Sequence, residues 1–313
     1  MKRILVPLDG SEFAERALKP ALNLAKRLEG EVHLATVVSD LPPVPLAAGD
    51  GELISQWFEE EEERARTYLS EVQGNAAADA PGITVKEHVQ LGPVARTLQA
   101  MAGELEIDLI ALTTHGRGAW QRAWLGSVAD HLLRNAARPL LLFRDGDEAQ
   151  ELFGAEGSPT HILVPLDGSR ASETSLEVLP GLLAGGSDYR VTLVSVLQRP
   201  FPLATTYLPH AVTEDRLLQE RKKRMEEHLA QVQSRVASEG LQVDSRVLVA
   251  DDAARALLDF AEKEGVDLVA LSTRGRGGVS RFFLGSVADK VVRGANVPIL
   301  AVRRPGEGGG EGE

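Results

Sequence analysis

Cysteine is absent from the 313 residues, which excludes disulfides, thiolate metal sites and thiol redox chemistry. Aromatic residues are scarce at 4% of the composition. No apolar run approaches the roughly 18 residues that a membrane-spanning helix needs. The sequence opens Met1-Lys2-Arg3-Ile4 straight into a strand-like run, so neither a membrane span nor a secretory leader is expected. Positive charge is also short. Lysine and arginine number 34 against 46 aspartates and glutamates, a net charge of −12. That balance argues against broad binding to nucleic acid or anionic membrane, but it leaves room for a small anion at a local arginine cluster. A cytosolic protein is the expectation.

Catalytic signatures are missing too. There is no Gly-x-x-x-x-Gly-Lys-Ser/Thr loop, no Gly-x-Ser-x-Gly turn, no His-Glu-x-x-His helix and no complete Gly-x-Gly-x-x-Gly fingerprint. No nucleophile–base pair stands out, so no catalytic residue is assigned and no metal ligands are assigned. The run Glu59 to Glu63 reads as a solvated helix face.

What is present is a duplication. Arg3-Ile4-Leu5-Val6-Pro7-Leu8-Asp9-Gly10-Ser11 returns as His161-Ile162-Leu163-Val164-Pro165-Leu166-Asp167-Gly168-Ser169. A second motif also occurs twice. Ala111-Leu112-Thr113-Thr114-His115-Gly116-Arg117-Gly118 leads to Leu125-Gly126-Ser127-Val128-Ala129-Asp130. Ala270-Leu271-Ser272-Thr273-Arg274-Gly275-Arg276-Gly277 leads to Leu284-Gly285-Ser286-Val287-Ala288-Asp289. Each reads as a buried strand, a glycine-bearing loop and a helix start. Such a loop brings backbone N–H groups close to a ligand and aims a helix N-terminus at it, the usual arrangement for phosphate. Ser127 and Ser286 also fit helix caps with Asp130 and Asp289 three residues on, and that plainer reading needs no ligand.

The order of elements is strand, helix, strand throughout. In the first repeat strands are expected at 3–8, 32–38, 83–89, 107–112 and 139–143. Ser11 is expected to cap a helix that Gly30 stops, and further helices to span about 52–73 and 94–102. In the second repeat strands are expected near 161–166, 190–196, 243–249, 267–271 and 298–302. The fold class is therefore α/β, two tandem doubly wound domains with five-stranded parallel sheets. The domains are expected at 1–145 and 160–304, joined by a linker at 146–159, with a Gly/Glu-rich tail at 305–313. Ligands in such sheets sit beyond the strand C-termini where the strand order reverses, which is where both motifs fall if the first and fourth strands are neighbours.

These residues resemble the universal stress protein family, in tandem, over nearly the whole chain. The resemblance implies a Rossmann-like, adenine nucleotide alpha hydrolase-like fold. In the family's ATP-binding branch the loop reads Gly, two residues, Gly, nine residues, Gly, then Ser or Thr. Gly116 and Gly275 match the second glycine, and Gly126-Ser127 and Gly285-Ser286 match the end. The first glycine is replaced by Thr113 and Ser272, so each copy departs from the pattern. The resemblance further implies that Asp9 and Asp167 meet the ribose or adenine edge beside Pro7, Leu8, Pro165 and Leu166. Val37 and Val196 would lie on the adenine face, although ordinary sheet core is their plainer reading. His115, Val128, Arg274 and Val287 complete the expected contacts.

The expected ligand is ATP, with or without Mg2+, held for regulation and not for rapid turnover. A scaffold whose pockets Thr113 and Ser272 have closed is one alternative, and a slow ATPase another. Arg117, Arg122, Arg276 and Arg281 suit either phosphate pairing or plain surface charge. Asp251 and Asp252 stand where the first repeat has Gly92-Pro93. Their charge would repel polyphosphate and so favours the first repeat, unless they only cap a helix. The final strands, Pro139 to Phe143 and Pro298 to Val302, are strongly apolar. The two repeats are therefore expected to dock through them as an intramolecular pseudo-dimer, with homo-oligomers permitted but not required.

Overall fold

The computed structural model describes residues 1–39, 51–114, 125–144, 152–153, 160–185, 189–199, 211–237, 241–273 and 284–303. The chain divides into two compact units, Met1–Gly157 and Ser158–Glu313. The first unit runs β1 (Arg3–Pro7), α1 (Glu12–Glu15), α2 (Leu18–Leu28), β2 (Glu31–Val38), α3 (Gly51–Asp79), β3 (Thr84–Leu91), α4 (Val94–Glu104), β4 (Leu109–Thr113), α5 (Ser127–Asn135) and β5 (Leu140–Phe143). The second runs β6 (Thr160–Pro165), α6 (Thr174–Leu183), β7 (Tyr189–Gln198), α7 (Ala211–Ala237), β8 (Gln242–Ala250), α8 (Ala253–Lys263), β9 (Leu268–Ser272), α9 (Ser286–Gly294) and β10 (Ile299–Val302).

Within each unit all pairings are parallel. The first orders its strands β3-β2-β1-β4-β5 and the second β8-β7-β6-β9-β10. Central strands carry unbroken apolar runs because both sheet faces are covered: every residue of β4, β5, β9 and β10 is buried. The long helices bury one stripe each, Ala65, Leu69, Val72 and Ala76 on α3 and Met225, Leu229, Val232 and Val236 on α7. Each fully buried leucine contributes about 1.5–3 kcal/mol. Right-handed crossovers place α2 and α3 on one face and α4 and α5 on the other. The chain reverses direction across the sheet between β1 and β4, which pair as Ile4↔Leu109 and Leu5↔Ile110. In the second unit β6 and β9 pair as Ile162↔Leu268 and Leu163↔Val269.

Three details depart from expectation. The helix expected after Ser11 is broken at Arg16 and Ala17, because Pro20 has no N–H to donate to the Arg16 carbonyl and its ring crowds it. At the end of α2 the left-handed residue is Glu29, with φ of 50°. Gly30 is required for a different reason: a Cβ there would lie 2.4 Å from the Lys2 carbonyl oxygen. In the stretch expected to be linker, Leu152 and Phe153 are buried, with the Arg27 guanidinium 4.7 Å from the centre of the Phe153 ring. The Glu59–Glu63 face is solvated as expected, its charges met along the helix by Arg64 and Arg66.

Candidate functional site

The strand order reverses between β1 and β4, and in sheets of this kind the ligand crevice lies at the strand C-termini of that point. On one side the chain leaves β1 through Leu8, whose N–H donates to the Ala35 carbonyl at 2.8 Å. Asp9 follows, exposed, with one carboxylate oxygen accepting from the Ser11 N–H at 3.0 Å and the Ser11 hydroxyl at 2.5 Å. Ser11 in turn caps α1 by accepting from the Ala14 N–H at 3.1 Å. The aspartate loop is thereby fixed to the helix start. Opposite, β4 ends in buried Thr113 and Thr114. The Gly126 N–H donates to the Thr114 carbonyl at 2.6 Å, so the chain returns to the strand end where it left.

Gly126, not Ser127, is the N-cap of α5, and it supplies no side-chain hydrogen bond. The Asp130 N–H donates to the Gly126 carbonyl, while the Asp130 carboxylate takes Arg134 at 2.8 Å and 3.0 Å. The expected serine cap is therefore corrected. Ser127 is the first helical residue and exposed, and the N–H groups of Ser127, Val128 and Ala129 have no intrahelical acceptor. The second unit repeats this at Gly285, Ser286 and Val287: the Gly285 N–H reaches the Thr273 carbonyl at 3.0 Å, and Asp289 pairs with Arg293. A helix start of this kind carries about half a positive charge.

The second unit also shows what has become of the missing first glycine. Ser272 is buried, and its hydroxyl accepts from the Ser175 N–H at 3.2 Å and donates to the Ser172 carbonyl at 3.2 Å. Ser172 donates its hydroxyl to the Ser169 carbonyl at 2.7 Å, and Ser169 donates to the Asp167 carboxylate at 2.6 Å. The replacement is thus engaged with the backbone of the connection from β6 to α6. Nothing in the sequence spacing pointed to Ser172 and Ser175, which lie about a hundred residues from Ser272.

Among the other expected contacts, Pro7 and Pro165 end β1 and β6, and Leu8 and Leu166 are buried beneath the aspartates, the Leu166 N–H donating to the Val194 carbonyl at 2.8 Å. Val37 and Val196 stand half-buried near the ends of β2 and β7, each followed by a buried residue. His115, Gly116, Arg117, Arg122, Arg274, Gly275, Arg276 and Arg281 lie outside the described residues. The carboxylates of the second unit do not face the crevice unpaired. Asp252 caps α8 through the Ala254 and Arg255 N–H groups at 2.9 Å and 3.1 Å, and Lys290 meets it at 2.8 Å. Lys290, and then the Arg255 N–H, hold its carboxyl below the usual range. Asp251 lies 3.8 Å from Arg199. The electrostatic reason for favouring the first repeat is removed. Among the described residues no group of three or more His, Asp or Glu is arranged to hold a metal ion, and no helix is long and apolar enough to cross a membrane.

The sequence profile of the Universal stress protein family matches residues 1–144 and again 159–303. The chain belongs to the universal stress protein family. A universal stress protein of Mycolicibacterium smegmatis is 28% identical over 307 residues, covering 96% of each chain. Universal stress protein MJ0531 of Methanocaldococcus jannaschii is 33% identical over 144 residues, 46% of this chain and 82% of its own. The crystal structure of a universal stress protein from Archaeoglobus fulgidus aligns with a TM-score of 0.69 at 21% identity, over 96% of this chain and 98% of that one. This last likeness concerns the fold.

Proposed function

We propose that this universal stress protein holds adenine nucleotide, ATP, in the crevice of each repeat and acts as a cytoplasmic regulator, not a rapid catalyst. The observation that carries the reading is the start of α5, repeated at α9. Three backbone N–H groups and an exposed serine hydroxyl converge there, beside the aspartate loop and at the point where the strand order reverses. In this reading the N–H groups and hydroxyls at Ser127 and Ser286 take phosphate oxygens. Asp9 and Asp167 take the ribose or adenine edge, and Val37 and Val196 the adenine face. ATP would supply a polyanion and an aromatic base, and Mg2+, where present, would travel with its phosphates. The engagement of Ser272 with Ser172 and Ser175 supports an open crevice over a closed scaffold. The docking of the repeats through their final strands belongs to the same proposal, and sedimentation of the chain as an extended particle would remove it.

Denaturing the purified protein and separating the released small molecules tests the reading. Adenine nucleotide in the released fraction is the expected result. No nucleotide, together with no thermal shift on adding ATP, would return the crevice to the scaffold reading.

A further inference from the structure

The long helix of each unit touches the aspartate loop, and it does so with a different side chain in each. In the first unit the Tyr68 hydroxyl of α3 donates to Glu15 at 2.8 Å. Glu15 closes the turn that Ser11 and Asp9 begin, its N–H donating to the Ser11 carbonyl at 3.3 Å. Burial, then Glu15 and Asp9, push the phenol above its ordinary range, and the Gly10 backbone also bears on it. In the second unit the place of Tyr68 is taken by His228 and that of Glu15 by Glu173. His228 Nε2 lies 3.6 Å from the Glu173 carboxylate, too far for a hydrogen bond, and that nitrogen is buried with no hydrogen-bond partner. The Glu173 side chain is only 13% exposed and also meets Arg235.

We propose that His228 is a positioning residue that makes the Asp167 loop, and with it ligand binding in the second unit, depend on pH, while Tyr68 leaves the Asp9 loop without that response. Imidazole is the side chain that changes charge between about pH 5 and 8, and a phenol does not. Neutral, His228 leaves a buried nitrogen short of a bond. Protonated, it becomes a donor facing a carboxylate and closes the gap. Glu173 is the N-cap residue of α6, its N–H donating to the Arg170 carbonyl and its own carbonyl accepting from Leu176. The turn it belongs to contains Ser172, whose hydroxyl accepts from the Asp167 N–H at 3.3 Å. Drawing the free oxygen of Glu173 to His228 therefore acts on Asp167 through the peptide bond to Ser172 and one hydrogen bond.

Other charges near this stretch of α7 are already committed. Arg190 of β7 and Asp244 of β8 pair at 3.3 Å, and Arg246 of β8 donates to the Ser245 carbonyl. On α7 itself Arg224 pairs with Glu220 and Lys222 with Glu226, each at 3.8 Å. Glu173 takes Arg235 on one carboxylate oxygen, and its other oxygen is the one placed to answer a proton on His228.

The test follows backbone amide resonances of the full chain from pH 8 to pH 5.5. Amides of Asp167 to Ser175 should move along one titration curve, those of Asp9 to Glu15 should hold still, and His228→Gln should abolish the movement. His228→Tyr should rebuild the tyrosine–glutamate pair and give a folded loop without pH response. The regulatory half rests on the nucleotide reading. With Gly126→Val blocking the first site, ATP should bind the second site roughly twofold to fivefold more tightly at pH 6 than at pH 8, the scale of one part-exposed ion pair. The reciprocal Gly285→Val chain controls for protonation of ATP itself. A silent loop, or a titration that survives His228→Gln, overturns the switch even if ATP binds. A loop that titrates while ATP binds at neither pH upholds the switch and overturns the nucleotide reading.

Discussion

At the outer strands of the first repeat Glu31 gathers three partners: Lys86 at 2.8 Å, His33 at 3.0 Å and Arg3 at 3.2 Å. His33 reaches His88 at 2.9 Å with its other nitrogen. The same register in the second repeat holds Arg190 in place of Glu31 and Asp244 in place of Lys86, paired at 3.3 Å with their signs exchanged. There His161 replaces Arg3 and bonds Thr192 at 2.8 Å, where the first repeat has His33. The backbone around these swaps is the same down to single contacts. Gln73 donates to the Val85 carbonyl at 2.7 Å and Gln233 to the Val243 carbonyl at 2.6 Å. The ladder and the apolar centre fix the fold, and the polar chemistry at the edge and beside the crevice is free to diverge. Two repeats of one architecture therefore carry different polar groups at matching places.

The largest effect expected from breaking this likeness is in the shared centre. Leu69 and Leu229 occupy matching, almost fully buried positions on α3 and α7. Leu69→Ala and Leu229→Ala should each cost about 2–5 kcal/mol, read by urea denaturation. A cost below 1 kcal/mol in either would mean that helix is not seated as described. Smaller is Ser272→Ala, which leaves the buried Ser175 N–H without its acceptor and should cost about 1–3 kcal/mol. Thr113→Ala tests whether the first repeat depends on its hydroxyl in the same way. Equal losses would erase the contrast, because in the first repeat the matching Ala17 N–H already donates to the Ala14 carbonyl at 3.3 Å.

The smallest effect is the response to acid. Lys86 first, and then His33, hold the Glu31 carboxyl at about 2, against 4.5 for a free side chain. Its contribution to stability is complete above pH 4.5 and is lost as the pH falls toward about 2. Burial first, then His33 and Lys86, lower the affinity of His88 for a proton. The unfolded chain then takes up that proton before the folded one, and stability drops as the pH falls below about 6.5. Hydrogen exchange between pH 7 and pH 4 should show β2 and β3 losing protection ahead of β7 and β8. His88→Gln should flatten that dependence, and identical profiles in the two repeats would contradict it.

Much of this was legible in the residues. Apolar runs bounded by glycine and charge mark the strands, and the duplication locates both crevices. The apolar spacing after Ser11 predicts one continuous helix and hides the backbone cost of Pro20 inside that pattern. Ser-x-x-Asp is a cap signature, so the serines read as caps as readily as ligand groups. The glycine one place earlier has the cap geometry, and a shift of one residue changes what the hydroxyl is available for. The rest was not local. Lys290 cancels Asp252 from 38 residues away, and Ser272 meets Ser172 and Ser175 across about a hundred. Contacts of that range leave no spacing to read.

The central claim is that each repeat binds nucleotide at the start of its glycine-capped helix. Isothermal titration of ATP into protein freed of small molecules tests it most directly, on the unaltered chain and on chains carrying Gly126→Val, Gly285→Val or both. Two ATP per unaltered chain, one in each single variant and none in the double variant is the predicted result. No heat at millimolar ATP with the unaltered chain, or full binding by the double variant, would contradict it.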